Sequence, residues 1–158
     1  MNRCLTGRLA NLHFAPTIRN KQNLLKENIN KDSIVVTGNT VIDALLSVID
    51  ENYKFKDKNI NKVDFINKKV VLLTSHRREN LGNPMKNIFS VVKRIVKENK
   101  DVEVVFPVHL NPKIREIVNS ILKGVERIHL IEPLDYKPFA NLMAKSYLVM
   151  TDSGGIQE

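Results

Sequence analysis

From Lys69 to Thr151 short apolar runs alternate with amphipathic segments, and this alternation constrains the fold more than any other feature of the chain. Lys69-Val70-Val71-Leu72-Leu73-Thr74 is a continuous apolar run between polar residues, as expected of a strand covered on both faces. Val102–Val108, Arg127–Ile131 and Ser146–Thr151 repeat the pattern. The segments between them have helical spacing. One has Ile88, Val91, Val92, Ile95 and Val96 on a single face, and the next has Ile114, Ile117, Val118, Ile121 and Leu122. A third carries Phe139, Leu142 and Met143 behind Asp135. Asn83-Pro84 and Asn111-Pro112 each offer a capping side chain followed by a proline suited to a first helical turn. Strand and helix in short alternation predict right-handed crossovers and a parallel sheet, the α/β architecture of a Rossmann-like half. Ligands of such sheets bind beyond the carboxyl ends of the strands, which directs attention to loops 75–82, 109–111, 132–135 and 152–155.

Upstream, residues 12–15 and 34–37 read as short strands around a helix from Thr17 to Glu27, and Thr40 is placed to cap a further helix. Residues 51–68 are rich in Lys and Asn, show little periodicity, and read as a linker or long surface loop. The last strand runs into Asp152-Ser153-Gly154-Gly155-Ile156-Gln157-Glu158, a small-residue turn and the opening of a helix. One helical turn without a buried stripe is marginal in water. Truncation of a larger chain is therefore the expectation.

Composition narrows the class of partner. Of the 158 residues 42% are hydrophobic and 27% charged, enough for a packed core. Lys plus Arg outnumber Asp plus Glu by 25 to 17, a formal charge of +8 that favours an anionic partner. Neither membrane nor nucleic acid is expected. No apolar run approaches a bilayer span, the helical faces carry mixed charge, and no RNA-binding aromatic signature accompanies the lysines. The single cysteine, Cys4, rules out an internal disulfide framework and any zinc site built on a Cys cluster. The opening residues lack a secretory apolar stretch, and a cytoplasmic location is expected.

The chemistry-bearing residues cluster in the strand-end loops. Ser75-His76-Arg77-Arg78-Glu79-Asn80 sets a titratable imidazole beside guanidinium groups, a combination suited to gripping and protonating an anionic leaving group. His109 occupies the corresponding position after the second strand, with a partly buried structural role as the competing reading. His13 and His129 lie in apolar segments and read as structural. Ser153, Gly154 and Gly155 set a hydroxyl and two glycines at a helix start, where free N–H groups favour phosphate and the missing side chains allow close approach. Two anion-binding loops on one sheet edge suggest a nucleoside diphosphate. Neither the dinucleotide glycine fingerprint nor the Walker phosphate loop is present, so NAD and ATP have no support. No metal-ligand constellation is recognisable.

In order along the chain, Leu12-His13-Phe14-Ala15-Pro16-Thr17, Val36-Thr37-Gly38-Asn39-Thr40-Val41-Ile42-Asp43, Ser75–Asn80, Pro107-Val108-His109-Leu110-Asn111-Pro112 and Thr151–Glu158 resemble the non-hydrolysing UDP-N-acetylglucosamine 2-epimerases. The resemblance implies a GT-B architecture, two Rossmann-like domains with the nucleotide sugar between them. This chain would be a partial GT-B: residues 1–50 the last part of the amino-terminal domain, 51–68 the linker, and 69–158 the first half of the UDP-binding domain. It further implies interconversion of UDP-N-acetylglucosamine and UDP-N-acetylmannosamine without metal or nicotinamide, by elimination and return of UDP, in a homodimeric parent that feeds cell-surface polysaccharide synthesis. On the family pattern His76 is the catalytic histidine near the diphosphate. Ser153, Gly154, Gly155, Phe139 and Glu158 match UDP-binding positions, with Phe139 at the uracil, and Arg77 and His109 match a second, allosteric UDP-N-acetylglucosamine site. The family's amino-terminal acidic residues proposed for chemistry at C2, and the glutamate and arginine beyond Glu158, have no counterpart here. The chain alone is therefore expected to lack epimerase activity. Two alternatives accompany this reading: a GT-B glycosyltransferase using a UDP-sugar, and a non-catalytic UDP-sugar-binding module.

Overall fold

The computed structural model describes residues 2–157, Arg78 by its backbone alone. The first elements are α1 (Asn2–Leu9), β1 (His13–Ala15), α2 (Ile18–Lys26), β2 (Ile34–Val36) and α3 (Thr40–Val48). β1 and β2 pair in parallel with Phe14 opposite Val35, and Ala15 and Ile34 are buried. Thr17 caps α2, its hydroxyl accepting from the Asn20 N–H at 3.2 Å. The cap of α3 lies one residue before the expected Thr40: the Asn39 side chain accepts from the Val41 N–H at 3.2 Å. These elements form one unit, Met1–Val48, and the remaining chain, Ile49–Glu158, forms the other.

The second unit contains the expected alternation: β3 (Lys69–Thr74), α4 (Asn83–Glu98), β4 (Val102–Pro107), α5 (Pro112–Leu122), β5 (Ile128–Ile131), α6 (Tyr136–Lys145), β6 (Leu148–Thr151) and a terminal turn, α7 (Gly154–Gln157). Its strands are all parallel in the order β5-β4-β3-β6. β3 lies inside the sheet, and every residue from Val70 to Thr74 is buried. Side chains on a strand alternate between faces, so this continuous run supplies two cores. Val71 and Leu73 join Val104 and Phe106 beneath Met85, Phe89, Val92 and Val96 of α4 and Ile114, Val118 and Leu122 of α5. Val70 and Leu72 face the other way, with Val105, Ile131 and Leu142 of α6. The helices thus change face between β5 and β6, and β6 returns to pair with β3. That change of direction is the switch point at which open α/β sheets bind ligands.

Three local expectations need correction. Residues 51–68 are not merely a linker, because Ile60 (1% exposed) and Val63 (8%) are buried in the second core with Phe55 and Phe65 against them. Two well-spaced apolar residues in a polar stretch give no periodic signal, which is why sequence pattern fails there. The amino-terminal cap of α4 is Gly82 rather than Asn83. Its φ of 91° and ψ of −132° are open to glycine and strained for other residues. Asp135 stands at the cap of α6 but makes no capping hydrogen bond with its side chain.

The carboxyl end of α4 is closed from a distance. Arg127, itself left-handed at φ 64°, directs its guanidinium at the carbonyls of Val96, Asn99 and Val102, at 2.5, 2.7 and 2.9 Å. A cation satisfying orphan carbonyls at a helix end works with the helix dipole as well as by hydrogen bonding. Arg127→Ala should destabilise the second unit by about 1–3 kcal/mol, the usual range for charged hydrogen bonds lost from partly buried acceptors. Urea denaturation would check this, and a change within about 0.5 kcal/mol, as for a surface substitution, would refute it.

Candidate functional site

β3 and β6 leave the sheet side by side, with Thr74 opposite Thr151, and their hydroxyls hydrogen-bond at 2.6 Å. The two following loops therefore begin at the same level, and one side chain joins them. Asp152 turns toward the loop after β3, where its Oδ2 accepts from the Ser75 hydroxyl at 3.2 Å, the His76 and Arg77 N–H groups at 3.1 Å each, and the Asn80 amide at 3.1 Å. Oδ1 accepts from the His76 N–H at 3.2 Å and lies 3.7 Å from His76 Nδ1. Burial works to raise the Asp152 pKa. The N–H of Arg77, the amide of Asn80, the N–H of His76 and the hydroxyl of Ser75 outweigh it and hold the carboxyl below the ordinary range.

This arrangement decides which groups remain for a ligand. The backbone N–H groups of His76 and Arg77 are spent on Asp152, so that loop offers an anion its side chains instead. In the turn after β6, the Ser153 N–H is also engaged, donating to the Thr151 hydroxyl at 2.9 Å. Gly154 and Gly155 open α7, and first-turn N–H groups have no acceptor within their own helix. A Cβ built on Gly154 would meet Arg77 Nη2 at 3.4 Å, so the guanidinium lies against the glycine turn. Arg77 is also paired with Glu79 at 2.8 Å, a hydrogen bond that pushes its pKa further up.

The expected site residues fall into three groups. His76, Arg77, Ser153 and Gly154 come together at the switch point, with Gly155 continuing the turn. His109 joins them from the loop after β4, its ring stacked on that of His76 with centroids 6.0 Å apart and planes 11° apart. His109 Nδ1 accepts from the Asn111 N–H at 3.1 Å, which leaves Nε2 to carry the proton of the neutral ring. Phe139 is placed differently: it is half-buried on α6, packed against the second core. Glu158 lies outside the described residues. His129 pairs with the buried Glu103 at 2.9 Å, in keeping with a structural role. Asp152 itself was absent from the expected site residues. Its partners are 72 to 77 positions away in sequence, and no local spacing could reveal them.

Comparison with known proteins supplies the family context. The family model described as UDP-N-acetylglucosamine 2-epimerase matches residues 1–158. The UDP-N-acetylglucosamine 2-epimerase of Bacillus subtilis is 52% identical over 158 residues, covering 100% of this chain and 40% of the relative. Among solved structures, the S. aureus MnaA–UDP co-structure superimposes with a TM-score of 0.88 at 51% identity, covering 99% of this chain and 42% of that one. The Neisseria meningitidis UDP-GlcNAc 2-epimerase bound to UDP-GlcNAc gives 0.81 at 45% identity, covering 99% and 43%. The chain spans about two-fifths of the length of the curated relatives it matches.

The low pKa of Asp152 has a pH signature. A carboxyl group whose pKa is lower folded than unfolded stabilises the folded state above its unfolded value, roughly 3.9, and loses that contribution as pH falls through the folded value. Amide-exchange protection at His76 and Arg77 should therefore persist through mild acid and disappear only below the ordinary carboxylate range. Loss of protection already near about pH 6, where an unperturbed carboxyl is still ionised, would contradict it.

Proposed function

Because the chain belongs to the UDP-N-acetylglucosamine 2-epimerase family, we propose that it supplies the diphosphate-binding part of an enzyme that interconverts UDP-N-acetylglucosamine and UDP-N-acetylmannosamine. The observation that carries this reading is the meeting of His76, Arg77 and the Gly154–Gly155 turn at the carboxyl ends of β3 and β6. An imidazole, a guanidinium and backbone N–H groups at the start of a helical turn suit a diphosphate, and the solved relatives from S. aureus and Neisseria meningitidis hold UDP and UDP-GlcNAc respectively.

In the proposed reaction a base takes the proton from C2 of the sugar as the C1–oxygen bond breaks. UDP leaves with the bonding electrons and a 2-acetamidoglucal remains. Return of UDP to C1 and of a proton to the opposite face of C2 completes the inversion. The part assigned to this chain is to bind and stabilise the departing diphosphate. His76 donates to a phosphate oxygen as negative charge develops, Arg77 balances that charge, and the N–H groups of Gly154 and Gly155 hold the phosphate. Phe139 is assigned to the uracil and Glu158 to UDP, and Arg77 with His109 to a second UDP-N-acetylglucosamine when one binds. The unit 1–48 is read as the end of the family's amino-terminal domain, in a cytoplasmic, homodimeric parent. Among the described residues no helix is long and apolar enough to cross a membrane.

The described site residues are all assigned to UDP and none to C2, so binding and turnover should separate. Titration calorimetry on the purified 158-residue chain should show saturable UDP binding, and His76→Ala should weaken it by about 10–100-fold, as for loss of a charge-assisted hydrogen bond. Incubation with UDP-N-acetylglucosamine should give no N-acetylmannosamine product. A folded chain that ignores UDP would overturn the site assignment, and clear turnover would overturn the division of labour.

A further inference from the structure

We infer that Asp152 is a positioning residue for the diphosphate site: without touching the ligand, it sets His76 and Arg77 against the Gly154 turn. The inference rests on the diphosphate reading above and gives a role to a side chain which that reading leaves unused. Only 12% of the Asp152 side chain is accessible, and it stands within a site proposed to bind an anion. A negative charge there opposes ligand binding through space unless it is occupied elsewhere. It is occupied: two backbone N–H groups, a hydroxyl and an amide, all from residues 75–80, converge on its oxygens.

The geometry points to the carboxylate as a cross-brace between two parallel strands. Asp152 belongs to the turn that presents Gly154, yet its acceptors hold the backbone from which the His76 and Arg77 side chains project. The glycine turn and the two cationic side chains are thereby locked to one frame. The charge is required as well as the shape. An asparagine in the same place keeps one acceptor oxygen but puts an NH2 group, itself a donor, against the other donors. The same carboxylate lies 3.7 Å from His76 Nδ1, on one side of the ring, so Nε2 on the other side is the nitrogen assigned to the phosphate.

Asp152→Asn, with Ser75→Ala as a control that removes a single donor from the brace, tests the proposal in two readouts. In the wild-type chain the His76 and Arg77 amide protons should resonate downfield and exchange slowly. In Asp152→Asn both should move upfield and exchange faster, and in Ser75→Ala they should stay close to wild type. UDP affinity should fall by at least about 10-fold in Asp152→Asn, in line with losses on mutating outer-shell partners. Uridine, which lacks the diphosphate, should bind wild type and variant alike. A merely structural role would weaken both ligands together, and that result overturns the proposal. So does unchanged UDP affinity, or unchanged amide resonances. If the wild-type chain binds neither ligand, the functional reading fails on its own account, and the amide resonances still decide whether Asp152 holds the loop.

Discussion

One partly buried carboxylate organises the end of the sheet. Loops that follow neighbouring parallel strands have no hydrogen-bond ladder to hold them together once the strands stop. Here the ladder is in effect extended by a side chain: Asp152 takes the donors that Ser75, His76, Arg77 and Asn80 would otherwise offer to water. The energetic logic is that of a partly buried anion, which costs free energy to desolvate and is retained because several hydrogen bonds repay the cost. The packing beneath it makes the brace effective. With β3 buried on both faces and clamped between α4–α5 and α6, the point from which the His76 loop departs has little freedom to shift.

Much of this architecture is legible in the residues themselves. The run from Val70 to Thr74 announces a two-sided strand, and the helical stripes of α4 and α5 follow from their spacing. The Asn111 cap works as its sequence suggests, its side chain accepting from the Lys113 N–H at 3.0 Å. Less visible is anything that depends on residues meeting across the fold. The strand order β5-β4-β3-β6 follows from a reversal of direction that no local pattern records. Gly82 displaces Asn83 as the cap of α4 because a backbone turn outweighs a side-chain preference. Ile60 and Val63 read as stray apolar residues in a Lys/Asn-rich stretch until the second face of the sheet is seen to need covering. At the site, His76 and the glycine turn are recognisable by residue type, whereas Asp152 is identified only by its partners.

The positive charge of the chain also takes a clearer distribution. Lys93, Lys97, Lys100 and Lys123 are exposed, and Lys69 is paired with Asp101 at 2.9 Å. Arg115 pairs with Glu132, and Arg127 is committed to helix carbonyls. The ion pairs cancel, so the excess of +8 lies largely on solvated helix faces rather than gathered in the site. At the carboxyl ends of the strands only a few polar groups gather: the Arg77 guanidinium, the stacked rings of His76 and His109, and the Gly154 turn.

The parallel pairing of Thr74 with Thr151 has a consequence for how such a sequence can drift. Side chains on a strand alternate between faces, so adding or deleting one residue in 148–151 would swing Asp152 to the opposite side of the sheet. Substitutions that preserve length leave the brace in place, even deep in the core, whereas a single-codon insertion there would detach the loop without touching any residue in it. The exposed turn at Lys123 and Gly124, remote from this register, tolerates added length better. The brace thus depends on the length of β6 more strictly than on its composition.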